Sequence, residues 1–186
     1  NPDDFSQTCA ALDERSAAND SNVTVTSTLP IMTDNVTFTF GGKSETVQLI
    51  VIPDDRTGDL GDYVRLEDES KEPLSLRDGD VYLSKSSQLV LGIQPGDTAH
   101  VQDSSLNVAK VKVSDISLNY LGNTLYMTQG TYERAFGRSA RLNGVFVLLK
   151  GSSADQIAFS KKLKSDGWLT ISSTAEHWQN FEANFT

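Results

Sequence analysis

The stretch Asp78-Gly79-Asp80-Val81-Tyr82-Leu83-Ser84-Lys85-Ser86-Ser87-Gln88-Leu89-Val90-Leu91-Gly92-Ile93-Gln94-Pro95-Gly96-Asp97-Thr98 carries a complete local program. Asp80 to Leu83 is short and extended. Ser84 is a hydroxyl residue at the point where spacing turns helical, so it caps a short helix through Leu89 and Leu91. Gly92 stops that helix, because glycine enters the left-handed region without a Cβ clash. Pro95-Gly96 fits the two central positions of a type II turn. The same order returns downstream: Leu125-Tyr126-Met127 is a strand, Thr128 caps, Tyr132, Ala135 and Phe136 share a helical face, and Gly137 closes it. Two copies are one local solution used twice, not a solenoid, which needs at least three.

Working outward, Thr98 to Asp103 and Asn107 to Val113 read as a hairpin, with Ala109, Val111 and Val113 on one face. Toward the N-terminus, Val23 to Leu29 and Val36 to Phe40 read as separate strands. Gly41-Gly42-Lys43 turns the second into Thr46–Ile52. Pro53 ends that strand, and the acidic stretch 53–62 reads as a loop and a boundary between lobes, followed by a strand at Tyr63–Leu66. Phe5, Cys9 and Leu12 give residues 3–18 an amphipathic helical pattern. Toward the C-terminus, Val145–Leu149 is an apolar strand. Ser153 with Gln156 forms a capping box for a helix to Leu163, and Trp168–Ile171 is a strand. Ser173 with Glu176 opens a last helix carrying Trp178, Phe181 and Phe185. The fold class is α+β, and this β-α-β-α ending reads as part of something longer.

Charge narrows the function. Sixteen basic against 25 acidic residues give a net charge of −9, and such a surface repels nucleic-acid phosphates and anionic headgroups. The single cysteine, Cys9, excludes an intramolecular disulfide. No apolar run approaches the roughly twenty residues that cross a bilayer.

Catalytic patterns are absent: there is no H-E-x-x-H, C-x-x-C or G-x-S-x-G. Cys9 suits a buried helix face, His100 alternates away from Ala99 and Val101, and His177 lies beside Trp178 on the last helix. Asp54, Asp55, Asp59 and Asp62 with Gly58 and Gly61 could hold a hard cation, but match neither an EF-hand nor a calcium-binding repeat. A solvated acidic loop is the expectation. Asp78-Gly79-Asp80 reads as a turn. No carboxylate pair stands out for glycoside hydrolysis, and the sequons at Asn22, Asn35 and Asn184 read as ordinary strand and helix-end residues. The expectation is therefore no enzyme, no catalytic residues, no metal and no cofactor.

Two motifs in order resemble a known family. Gly79–Ser84 followed by Leu91-Gly92-Ile93-Gln94-Pro95-Gly96-Asp97-Thr98 is one. Asn119-Tyr120-Leu121-Gly122-Asn123-Thr124-Leu125-Tyr126-Met127-Thr128, then Tyr132 to Gly137, is the other. Together with the C-terminal pattern they are similar to the large extracellular region of FtsX-like ABC-transporter permeases of the MacB type, especially those of Gram-positive bacteria. The match runs from about Thr46 to the C-terminus. The resemblance implies a MacB-like periplasmic core: a discontinuous α/β lobe, approximately 1–53 plus 142–186, with a small β-rich lobe inserted at approximately 54–141. It implies anchoring at the outer face of the cell membrane by transmembrane helices of the same permease, a cytoplasmic ATPase subunit, a second permease copy, and an extracellular substrate or adaptor protein. Its role would be to couple ATP hydrolysis to export, extraction or signalling.

Residues Tyr120, Leu121 and Tyr126, around Gly122, are the candidate partner or substrate contact, because exposed aromatics in a connection suit recognition. Packing of both tyrosines in the core competes with that reading. A free-standing secreted module binding a peptide or glycan is the alternative function.

Overall fold

A computed structural model describes residues 24–118 and 122–151, with Ala154, Asp155 and Ala158. The expected helices at 3–18 and 173–186, the strand at 168–171, and Cys9 and His177 lie outside the described residues, as does most of the helix expected from Ser153, of which Ala154, Asp155 and Ala158 are helical.

The fold is α+β. Strands β1 (Thr24–Phe40), β2 (Lys43–Ile52), β3 (Val81–Ser84), β4 (Thr98–Gln102), β5 (Val108–Lys112), β6 (Asp115–Ser117), β7 (Thr124–Thr128) and β8 (Gly144–Lys150) form one sheet. Its order is β5-β4-β1-β2-β7-β3-β6, with β8 paired to the first half of β1. The described helices are short: α1 (Lys85–Leu91) after β3, and α2 (Gln129–Phe136) after β7.

Residues 24–40 form one strand where the sequence suggested two. Pro30 sits inside it, opposite Val145. A proline is tolerated in a strand where its missing N–H faces no partner. Ile31 next to it accepts from Asn143 on the β8 side, and β2 begins its pairing only at Met32, so Pro30 faces the uncovered side. Beyond a bulge between Val25 and Ser27 the strand alternates but changes which face is buried. Leu29 and Ile31 enter one core, whereas Val36 and Phe38, of opposite parity, enter the other.

The central strands are buried on both faces. In β2, Val47, Leu49 and Val51 face the first core and Ile50 and Ile52 the second. β7 divides the same way, Leu125 and Met127 against Tyr126, and so does β3, Val81 and Leu83 against Tyr82. The first core is closed by Leu91 of α1, Ile93 and Tyr132 of α2, whose ring stacks on Phe136 with centroids 4.8 Å apart. The second is closed by Leu60, Tyr63, Val64 and Leu66, with Tyr63 stacked on Phe146 at 6.4 Å. Truncating a core leucine such as Leu60 to alanine costs about 2–5 kcal/mol.

This second layer revises two local expectations. The acidic stretch is a 3₁₀ segment, Asp54–Asp62, rather than an open loop. It is pinned to β1 by Arg56 Nη2 donating to the Thr28 carbonyl at 2.9 Å and by Tyr63 Oη on Ser27 Oγ at 2.8 Å. Residues 63–66 are not a strand: they cover the sheet with side chains, and only Glu67 forms bridges, to Pro73 and Leu118.

Other expectations hold. The two-glycine turn joins Phe40 to Lys43, with φ of 57° and 79° at Gly41 and Gly42. Pro95-Gly96 turns with Asp97 N donating to Gln94 O at 3.0 Å. β4 and β5 are the expected hairpin, and Gly92 and Gly137 end the helices in the left-handed region.

Candidate functional site

The two strand–cap–helix units lie side by side, since β3 and β7 pair antiparallel. Each delivers its helix to the first core. Their caps differ. Thr128 Oγ1 accepts from Thr131 N at 3.2 Å, as an N-cap should. Ser84 makes no such bond. Its hydroxyl accepts from the Thr124 backbone N–H at 3.1 Å, tying the start of α1 to the start of β7.

Asn123 extends that tie. Its Nδ2 donates to Glu45 Oε1 on β2 at 2.9 Å, and the Ser86 hydroxyl bonds its Oδ1. Glu45 Oε2 is buried and without a partner. Residues three and four positions on from Ser86 share its helix face, and these are Leu89 and Val90, exposed at 70% and 53%. A pair of bare aliphatic side chains thus stands on the face of α1 that is fastened to Asn123, directly after residues 119–121 in the chain.

Of the expected contact residues, Tyr120 and Leu121 lie outside the described residues. Tyr126 is corrected: at 0% exposure it is a core residue of the second cluster and presents no surface to a partner. The reason is the second layer, which covers the other face of β7, so all five residues of that strand are buried. No hydrogen bond of ordinary geometry reaches its hydroxyl. Burial raises its pKa well above the tyrosine range, and the Thr124 side chain acts in the opposite sense and by less. Leu89 and Val90 were not singled out in the sequence. Both sit in a helical pattern, and only the packing of α1 shows that Leu91 points inward while they do not.

The other sequence candidates are placed as follows. His100 is exposed on β4, as alternation required. Asp54 Oδ1 accepts from Gly130 N at 3.0 Å, and Asp59 pairs with Arg56. Asp78 pairs with Arg134, and Asp80 accepts from Tyr82 Oη and Arg77 N. Among the described residues no three His, Cys, Asp or Glu side chains are grouped closely enough to hold a metal ion, and no helix is long and apolar enough to cross a membrane.

No protein-family model and no curated protein matches the chain. By structure it is similar to the periplasmic region of MacB from Actinobacillus actinomycetemcomitans, with 17% identity and a TM-score of 0.43 over 84% of this chain and 72% of that one. It is also similar to the extracellular domain of the noncanonic ABC-type transporter YknZ from Gram-positive bacteria, with 15% identity and a TM-score of 0.46 over 84% of this chain and 82% of that one. These are likenesses of fold.

Proposed function

We propose that this chain is the extracellular domain of an FtsX-like ABC-transporter permease, a non-catalytic module that couples cytoplasmic ATP hydrolysis to export, extraction or signalling at the outer face of the membrane. The observation that supports it most is the pairing of Thr24 with Lys150. The first described strand begins opposite the end of the last one, so the described residues start and finish at one end of the sheet. That arrangement suits a domain inserted between two membrane spans. From there β1 runs 17 residues to the Gly41–Gly42 turn, a span of about 50 Å at roughly 3.3 Å per residue. One strand therefore joins the attachment end to the far end.

The two motifs that carry the family resemblance support the same reading, because they build neighbouring units of one sheet. The division into an α/β lobe and a β-rich lobe belongs to this proposal, with the β1–β4 and β2–β7 pairings fusing both into one sheet. So does partner contact at Tyr120 and Leu121, to which we add the exposed Leu89 and Val90 of α1 in place of Tyr126. The transmembrane helices, the ATPase subunit and a second permease copy are the partners it calls for.

The decisive experiment is to sequence the parent open reading frame on both sides. A span of about twenty apolar residues ahead of Asn1, with others after Thr186, is the expected result. A signal peptide followed by a stop codon would overturn the proposal and leave a secreted binding module.

A further inference from the structure

We infer that the cavity between the end of β2, the start of α2 and residues 139–142 binds an aliphatic carboxylate. The cavity measures about 510 Å³, within the range of small-molecule sites. Val51, Pro53, Ala140 and Leu142 give it apolar walls. Its polar groups are Gln129, Ser139 and Arg141, all of which can donate hydrogen bonds.

Arg141 decides the ligand's charge. Arg56, Arg65, Arg134 and Arg138 each pair with a carboxylate of this chain, whereas among the described residues Arg77 and Arg141 pair with none, and of these two Arg141 lines the cavity. Its planar fork matches a carboxylate in bidentate geometry. Gln129 turns its side-chain oxygen to Asp54 N at 3.4 Å, which leaves its amide N–H groups for a ligand oxygen. The apolar walls take the chain behind the carboxylate, and each buried methylene adds about fourfold to affinity. The chemistry is shared by a free fatty acid and by the C-terminus of an apolar peptide. The site lies apart from Asn123 and α1, and stands whether or not the permease reading does.

The test uses the 186-residue chain and a dansylated medium-chain fatty acid, followed by fluorescence and displaced by competitors. Decanoate is expected to compete at least tenfold better than decanol. A short apolar peptide is expected to compete with a free C-terminus and not when amidated if the natural source is a peptide, and in neither form if it is a free acid. Arg141→Gln should weaken the probe about tenfold. Ser139→Trp, at an exposed lining position, should obstruct the cavity and weaken the probe at least tenfold. Lys110→Gln on the β5 edge should change nothing, and circular dichroism should report all three variants folded. Equal competition by decanol and decanoate, binding untouched by Arg141→Gln and Ser139→Trp, or no binding at all would each overturn the assignment.

Discussion

The Ser84 hydroxyl accepts the backbone N–H of Thr124 at 3.1 Å, with both residues buried, one step beyond the Leu83–Leu125 pair that ends the β3–β7 ladder. Replacing Ser84 with alanine leaves a buried N–H without that acceptor. A loss of about 1–3 kcal/mol is expected, read from the urea midpoint at unchanged slope. A loss below about 0.5 kcal/mol would show that water or a backbone shift replaces the bond.

Asn143 lengthens β8 with its side chain. Its N donates to Ile31 O at 2.9 Å, its Oδ1 accepts from Thr33 N at 2.7 Å, and its Nδ2 donates to Thr33 O at 2.8 Å. Asn143→Ala should cost about 1 kcal/mol. Asn143→Asp should cost more, because a carboxylate oxygen then faces the Thr33 carbonyl. Thermal melts of the two variants check the order, and an aspartate variant more stable than the alanine one would refute it.

Tyrosine burial sets the alkaline limit of stability. Burial raises the pKa of Tyr126, and chiefly burial raises those of Tyr82 and Tyr132. An unfolded tyrosine titrates near about 10. Because the folded values lie above the unfolded one, the neutral phenols contribute fully below about pH 10, and that stability is lost as pH rises from there toward the folded values. Tyr126→Phe removes a buried hydroxyl that no hydrogen bond of ordinary geometry reaches. It should stay within about 1 kcal/mol of the parent at pH 7 and fall less steeply above about pH 10. Urea titrations on either side of that pH measure both effects.

Leu89 and Val90 contribute little to the fold because they are mostly in water. The double substitution Leu89→Ser, Val90→Ser should shift stability by no more than about 1 kcal/mol. On the proposed function it should lower transport or partner capture by the parent protein well beyond that change. A double variant with normal activity would remove α1 from the contact surface.

The sequence made the turns and caps readable, because each depends on a few adjacent residues. Gly41-Gly42, Pro95-Gly96, Thr128 and Gly137 all sit where local chemistry puts them. What it concealed came from tertiary cover. Tyr126 alternates with Leu125 and Met127 in a pattern that equally suits one exposed face. Only the approach of Leu60, Tyr63 and Leu66 from residues far along the chain buries it. Pro30 hid the continuity of β1 for the same reason, since its tolerance depends on where β2 starts pairing. Three-residue β6, opening on Asp115, has too little sequence to announce itself.

Because Thr24 and Lys150 are opposite one another at the same edge of an antiparallel pair, the mechanics of the sheet are set by that geometry. Tension drawing the two apart would peel β8 from β1 one bond at a time, the weak direction for a ladder. Displacement of both together meets no such weakness. With β1 paired to β8, β2 and β4, it tilts the sheet with the strand, and a small tilt near Thr24 becomes a larger excursion at Gly41, on the far side of a strand whose two halves are clamped in opposite cores. The molecule is built to be leaned on rather than stretched.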